Sequence, residues 1–114
     1  MTLLNEKFAG LKTKASAIGF SENRQDAADY FEAVFLSANL AAFTGVFEGV
    51  FGKALYPSDA PLPAAVKKAI DSRGGIMGKQ TLYACIEGNE LLYAMLWPWS
   101  DGAHITLKSA WTNI

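Results

Sequence analysis

Phenylalanine recurs at a spacing of four residues in the first half of this 114-residue chain. The series is Phe31, Phe35, Phe43, Phe47 and Phe51, with Asn39 in the one position that the spacing leaves vacant. Residues four apart share one ridge of an α-helix, so the series predicts a helix with bulky rings along one side. A second series with the same spacing consists of small residues: Ala33, Ser37, Ala41, Gly45 and Gly49. At about 100° per residue the two series lie on roughly opposite sides, so the helix must be covered all round.

The predicted helix runs from about Glu22 to Gly49 or beyond, with Ser21 as its N-cap residue. Straight, it would be about 40 Å long, whereas a domain of this size has a radius of gyration near ~13 Å. It therefore either protrudes into a partner or breaks, and Gly45 and Gly49 are the positions where a break costs least. We expect the small-residue series to let another helix or a sheet pack closely, within the chain or across a dimer.

Two shorter helices and three strands complete the prediction. A first helix is expected over about Leu3 to Ile18 and a third over about Leu62 to Arg73, because apolar residues recur in both at intervals of three and four. The C-terminal part has the alternation and turn residues of β-structure. Its predicted strands are Gln80 to Glu87, Glu90 to Trp97 and about His104 to Thr112.

Gly88-Asn89 is a two-residue hairpin turn between the first two of these strands. The resulting register places Cys85 opposite Leu92. The middle strand is apolar on both faces, and a sheet with one solvated face would alternate there, so both faces are expected to be at least partly covered. The predicted fold is a single α+β domain over residues 1–114. Three N-terminal helices, with a long central second helix, precede a three-stranded antiparallel β-meander.

Composition and charge exclude several classes of protein. Hydrophobic residues make up 51% of the chain and charged residues 18%, which suits a domain that buries its own core. The formal net charge is −1 and the 10 Lys and Arg residues are scattered, so we expect no nucleic-acid partner. The single cysteine, Cys85, rules out an internal disulfide.

Membrane, targeting and cofactor signals are also missing from the sequence. The longest uncharged run, Ala33 to Phe47, is shorter than the ~20 residues that a spanning helix needs. Glu6 and Lys7 interrupt the N-terminal segment, which is therefore no signal peptide, so we expect no membrane partner and a cytoplasmic location. The glycine-rich segment 74–79 lacks the Walker spacing, and one Cys with one His cannot supply a standard zinc site. No cofactor and no metal are expected.

The aromatic group that most suggests recognition lies at the C-terminal half of the chain. Its members are Tyr93, Trp97, Trp99 and Trp111. Trp97-Pro98-Trp99 ends one strand and enters a turn, where an exposed tryptophan is typical of a binding surface. Alternatively, Trp99 folds back over the sheet as a lid on the core, and the sequence favours neither interpretation.

The polar candidates each have a structural alternative. His104, the one histidine, follows Asp101 by three residues, and a half-exposed strand end is favoured over a catalytic base. Asn39 could set the register of a helix pair, border a pocket or be exposed. Cys85, in the middle of a strand, is expected to be a small buried apolar residue.

These patterns favour a non-enzymatic binding or interaction protein, expected to be a homodimer. It would recognise a small apolar or aromatic ligand, or a protein segment, near the phenylalanine ridge and the Trp97–Trp99 turn. The candidate site residues are Trp97, Trp99, Tyr93, Trp111, Asn39 and His104. One alternative is a small enzyme that uses His104 with a nearby carboxylate in a pocket. Another is an inhibitor or immunity-like protein that docks through its exposed aromatic turn.

Overall fold

The structure, a computed structural model, describes residues 3–114. It consists of a five-stranded antiparallel sheet with helices on both faces. The helices are α1 Leu3–Ile18, α2 Leu40–Phe51 and α3 Ala64–Asp71, and a short 3-10 helix, Ser37–Asn39, precedes α2. The strands are β1 Glu22–Asp26, β2 Tyr30–Leu36, β3 Thr81–Glu87, β4 Glu90–Pro98 and β5 His104–Asn113. They lie side by side in the order β1-β2-β5-β4-β3. None of the described helices combines the length and the apolar character needed to cross a membrane.

The three-stranded meander is wrong as a description of this sheet, because two further strands come from the segment assigned to the long second helix. Residues 22–36 form the hairpin β1–β2, and β2 pairs with β5 at the centre of the sheet. A spacing of four is even, so residues four apart share one face of a strand as well as one ridge of a helix. Phe31 and Phe35 lie on one face of β2, whereas Phe43 and Phe47 belong to α2.

Ser21 acts differently from the N-cap that the helix would have required. Its hydroxyl donates a hydrogen bond of 3.1 Å to the carbonyl oxygen of Val34, so it joins the two strands of the first hairpin. Asn39 lies at the surface in the turn where the phenylalanine series passes from strand to helix. The vacant position in the series therefore marks the end of one element and the start of the next.

The α+β class and the C-terminal hairpin are confirmed. Across the Gly88-Asn89 turn Cys85 pairs with Leu92, and the whole register from Thr81 to Glu87 follows the prediction. Residues Leu91–Leu96 of β4 are all buried, so the expected cover on both faces of this strand is present.

The two faces of the sheet bury two separate apolar clusters. One, which we call the α1/α2 face, packs the apolar stripe of α1 and the rings of Phe43 and Phe47 against Phe31 and Phe35. The other, the α3 face, packs Val66 and Ile70 against one side of the sheet. Its sheet residues are Tyr30, Leu82, Leu91, Tyr93, Met95 and Ala110.

The small-residue series does not form the close contact expected of it. Gly45 and Gly49 lie on the exposed side of α2, and a Cβ atom added to either would meet nothing within 4 Å. A second copy of the chain was inferred from β4, the predicted middle strand, and from the phenylalanine rings, and both are covered within one chain. The homodimer therefore stays a prediction.

We expect Gly45→Ala to raise the free energy of unfolding by about 0.5–1 kcal/mol, because alanine restricts the unfolded chain and space is free around this helical position. Urea denaturation of the variant and the original chain measures the difference. A clear loss of stability would show that this side of α2 is packed after all.

Candidate functional site

A cavity of about 540 Å³ lies between α3 and the sheet. Its floor is formed by Tyr30 of β2, Ala110 of β5 and Tyr93 of β4. Ala110 is the register partner of both tyrosines, so a small residue lies between two aromatic ones on adjacent strands. The volume falls within the range of about 300–1,000 Å³ that is usual for small-molecule sites.

The wall of the cavity opposite the floor is one side of α3 and the turn after it. Ala65, Lys68, Ala69, Ser72 and Arg73 line it, with helical spacings of three, four, seven and eight from the first. Val66 and Ile70, on the neighbouring stripe, bury against the sheet and fix the helix in place. The cavity exists because the wall carries small alanine side chains above the tyrosines of the floor.

The tyrosines of the floor are neutral phenols held by their surroundings. Burial raises the pKa of Tyr93, while the charge of Arg73 and a side-chain hydrogen bond with it act in the opposite direction. Burial also raises the pKa of Tyr30, as does the 2.7 Å hydrogen bond that its hydroxyl donates to Glu32 Oε1. The guanidinium carbon of Arg73 lies 3.7 Å from the centre of the Tyr30 ring.

Lys68 is an exposed cation on the wall of the cavity. Its neighbour Lys67 forms an ion pair of 2.8 Å with Asp71, one turn along the helix. Within residues 3–114, Lys68 Nζ has neither an ion pair nor a hydrogen bond. Asp29, in the turn between β1 and β2, also lines the cavity, and its carbonyl oxygen accepts a hydrogen bond of 2.9 Å from the backbone N–H of Trp111.

Comparisons of the chain with protein-family models, with curated proteins and with solved structures found no match.

Trp97, one of the predicted site residues, holds the turn that follows α3. Its half-buried ring lies against Gly74, and Lys108 Nζ lies 3.5 Å from the ring centre. Lys108 also donates a hydrogen bond of 2.9 Å to the carbonyl oxygen of Arg73. The indole Nε1 is buried without a hydrogen-bond partner in the part of the chain that the structure describes. Trp97 therefore packs against the turn that follows Arg73, and its role in binding stays a prediction.

Trp99 folds back over the sheet and keeps part of its ring exposed. Its Nε1 donates a hydrogen bond of 2.8 Å to Thr106 Oγ1, and its ring lies 4.8 Å from the ring of His104. Thr106 is buried beneath it. Trp99 keeps 37% of its surface exposed, so it covers part of the sheet and also presents an aromatic surface to solvent.

His104 and Asp101 form a hydrogen-bonded pair at the surface. His104 Nδ1 lies 2.7 Å from Asp101 Oδ2, and the other carboxylate oxygen accepts hydrogen bonds from the backbone N–H groups of Ala103 and His104. The Ala103 bond and the His104 side chain together lower the pKa of Asp101. The pair lies outside the cavity and closes the turn before β5. No group of three or more His, Cys, Asp or Glu side chains in residues 3–114 could hold a metal ion.

The remaining predicted residues lie apart from the floor of the cavity. Trp111 packs at the edge of the α1/α2 cluster, and its Nε1 donates a hydrogen bond of 2.5 Å to Glu90 Oε1, although the residue also borders the cavity. Asn39 is exposed in its turn. Of the predicted residues, the structure therefore brings only Tyr93 and Trp111 to the cavity.

Sequence reasoning missed the other residues that define the cavity. Tyr30 was hidden by the assignment of its strand to a helix. Lys68 and Arg73 belong to the tightest basic group of the sequence, but only the placement of α3 on the sheet directs them to one cavity.

Proposed function

We propose that this protein is a non-enzymatic binding protein whose small-molecule ligand occupies the cavity between α3 and the sheet. The observation that carries the proposal is the floor of Tyr30, Ala110 and Tyr93 beneath a space of about 540 Å³. Aromatic walls with a few polar groups are typical of sites for small ligands. A ligand with an aromatic or apolar part would lie over this floor.

The floor supports the proposal because contacts within the chain already hold its tyrosine side chains in place. Tyr93 is almost fully buried in the middle of the sheet, and Tyr30 is fixed by its hydrogen bond to Glu32 and by the guanidinium of Arg73. A site that is already ordered loses little side-chain entropy on binding. Contact between a ligand ring and such tyrosines typically contributes about 0.5–1.5 kcal/mol beyond the area buried.

Binding without catalysis is favoured by the position of the reactive side chains. Neither His104 nor Cys85 borders the cavity. Burial raises the pKa of the Cys85 thiol, although Lys7 acts in the opposite direction, so the thiolate form that would be a nucleophile is disfavoured. The polar groups in the lining suit recognition through hydrogen bonds and charge.

We expect Ala65→Phe to weaken the binding of small aromatic probes at least about 10-fold, because the new ring enters the cavity from α3. The measurement is NMR titration with a panel of naphthalene derivatives, followed through the amide signals of Ala69, Tyr93 and Ala110. Ala64→Phe is the matched control, since Ala64 is the exposed neighbour on the same helix and does not line the cavity.

Two results would contradict the proposal. One is a panel in which no compound shifts the signals of the cavity residues. The other is equal loss of binding in Ala64→Phe and Ala65→Phe, because the effect would then come from disturbance of α3 rather than from filled space.

A docking role for the aromatic turn is the second candidate, favoured by the exposed part of Trp99. Arg24 lies 5.5 Å from the centre of the Trp99 ring, so a cation and an aromatic ring share this surface. Arg and Trp are the residue types enriched where partners bind most strongly. The cavity remains the leading site because it is concave, whereas the turn is held against its own sheet by Thr106 and His104.

A further inference from the structure

We propose that the ligand of this cavity carries an oxyanion, a carboxylate or a phosphate, which Lys68 and Arg73 bind beside the tyrosine floor. The inference rests on the proposed function and names the ligand class of the same cavity. Its aromatic or apolar part would lie over Tyr93 and Ala110, and its charged end would meet the wall formed by α3.

The first observation is the contrast between two adjacent lysines on α3. Lys67 faces away from the cavity and is neutralised by Asp71 at 2.8 Å. Lys68 lines the cavity, and its ammonium group makes no polar contact within residues 3–114. Lys68 is exposed at the rim of the cavity, and an ammonium group has three N–H donors, so its donors are available to a ligand oxyanion that enters there.

The second observation is the fixed position of Arg73. Its guanidinium stacks on Tyr30 at 3.7 Å, and its carbonyl oxygen is held by Lys108 at 2.9 Å. A guanidinium is planar by delocalisation, and its N–H donors form a fork that matches the two oxygens of a carboxylate or phosphate. Arg73 is therefore oriented before a ligand arrives, while Lys68 is free to close on it.

Asp29 limits the kind of anion that fits. It is the one acidic residue among the described residues that line the cavity, against the two basic residues Lys68 and Arg73. A carboxylate would repel a ligand charge placed beside it, so the oxyanion belongs at the α3 wall. Asp29 can accept a hydrogen bond from a hydroxyl or amine at another part of the ligand.

The test compares three probes with the same ring: 1-naphthoate, 1-naphthyl phosphate and the neutral 1-naphthalenemethanol. For the original chain we expect at least one of the two acids to bind about 10-fold or more tightly than the alcohol, since charge-assisted hydrogen bonds are the strong ones. The acid that binds more tightly identifies the kind of oxyanion. Lys68→Gln should remove most of this preference, so that the affinities for the two acids fall toward the affinity for the alcohol.

Lys67→Gln is the matched control and should leave all three affinities unchanged, because it removes the same charge from the next residue of the same helix. Equal affinities for acids and alcohol, or an unchanged preference in Lys68→Gln, would overturn the oxyanion inference and leave the proposed function standing. If none of the three probes binds in the cavity, the proposed function fails together with it.

Discussion

Replacing Phe43 by alanine is expected to lower the free energy of unfolding by about 3–5 kcal/mol. Its ring is fully buried at the contact between the strand part and the helix part of the phenylalanine series. The centre of the Phe43 ring lies 3.8 Å from that of Phe35, 6.0 Å from that of Phe20 and 6.5 Å from that of Phe47. Removing it would leave a cavity bounded by three other rings, which are too large to collapse into it.

Urea denaturation with an unchanged m-value is the measurement, because a constant slope shows that the effect is on stability. Leu40→Ala is the control on the same helix: Leu40 is exposed, so its loss should cost less than about 1 kcal/mol. A loss below about 2 kcal/mol in Phe43→Ala would mean that α2 does not pack its rings on β2 as described.

The parts of the fold that depend on neighbouring residues, the β3–β4 hairpin and helix α1, were predicted correctly from the sequence. Gly88-Asn89 fixes a two-residue turn, and the turn fixes every pair from Thr81 to Glu87, so the sequence alone determines the register of β3 and β4. The stripe of α1 was equally clear, and Leu4, Phe8, Leu11 and Ala15 are buried as its spacing implies.

The helix prediction for residues 22–36 was wrong because a spacing of four residues suits both a helix and a strand. Phe31 and Phe35 would share a helix ridge, yet they also share a strand face, and the choice was made by pairing with β5 far along the chain. The β-branched and aromatic residues of β2 were the available signal, since Tyr, Phe and Val are enriched in strands. The regular continuation of the series into α2 concealed it.

The candidate site was predictable only in part, for the same reason. Tyr93 was identified because its strand was assigned correctly. Its companion Tyr30 reaches the cavity only through the order β2-β5-β4, which no local pattern indicates. Lys68 and Arg73 line the cavity only because α3 packs against the second face of the sheet. The sequence of this short helix does not indicate on which face it packs.

The turn after α3 should be the other position of high sensitivity, and Gly74→Ala is expected to lower the free energy of unfolding by about 2–5 kcal/mol. Gly74 has φ of 102°, where a side chain is strained by about 1–2 kcal/mol. An added Cβ would also lie 2.9 Å from Cζ2 of Trp97 and closer still to Cη2. Overpacking of this kind costs about 1–3 kcal/mol more, since Lys108 covers the ring.

Gly78→Ala separates the two contributions. Gly78 also has a positive φ, of 57°, but an added Cβ there meets nothing within 4 Å, so only the backbone cost of about 1–2 kcal/mol is expected. Combining Gly74→Ala with Trp97→Leu should recover the packing part, and urea denaturation of the double-mutant cycle measures that coupling. An equal loss from Gly74→Ala in both backgrounds would show that Trp97 does not hold this turn. Because Arg73 precedes Gly74, the single variant Gly74→Ala should also weaken the binding of 1-naphthoate. Such a loss would show that the conformation of this turn determines where the Arg73 guanidinium lies in the cavity.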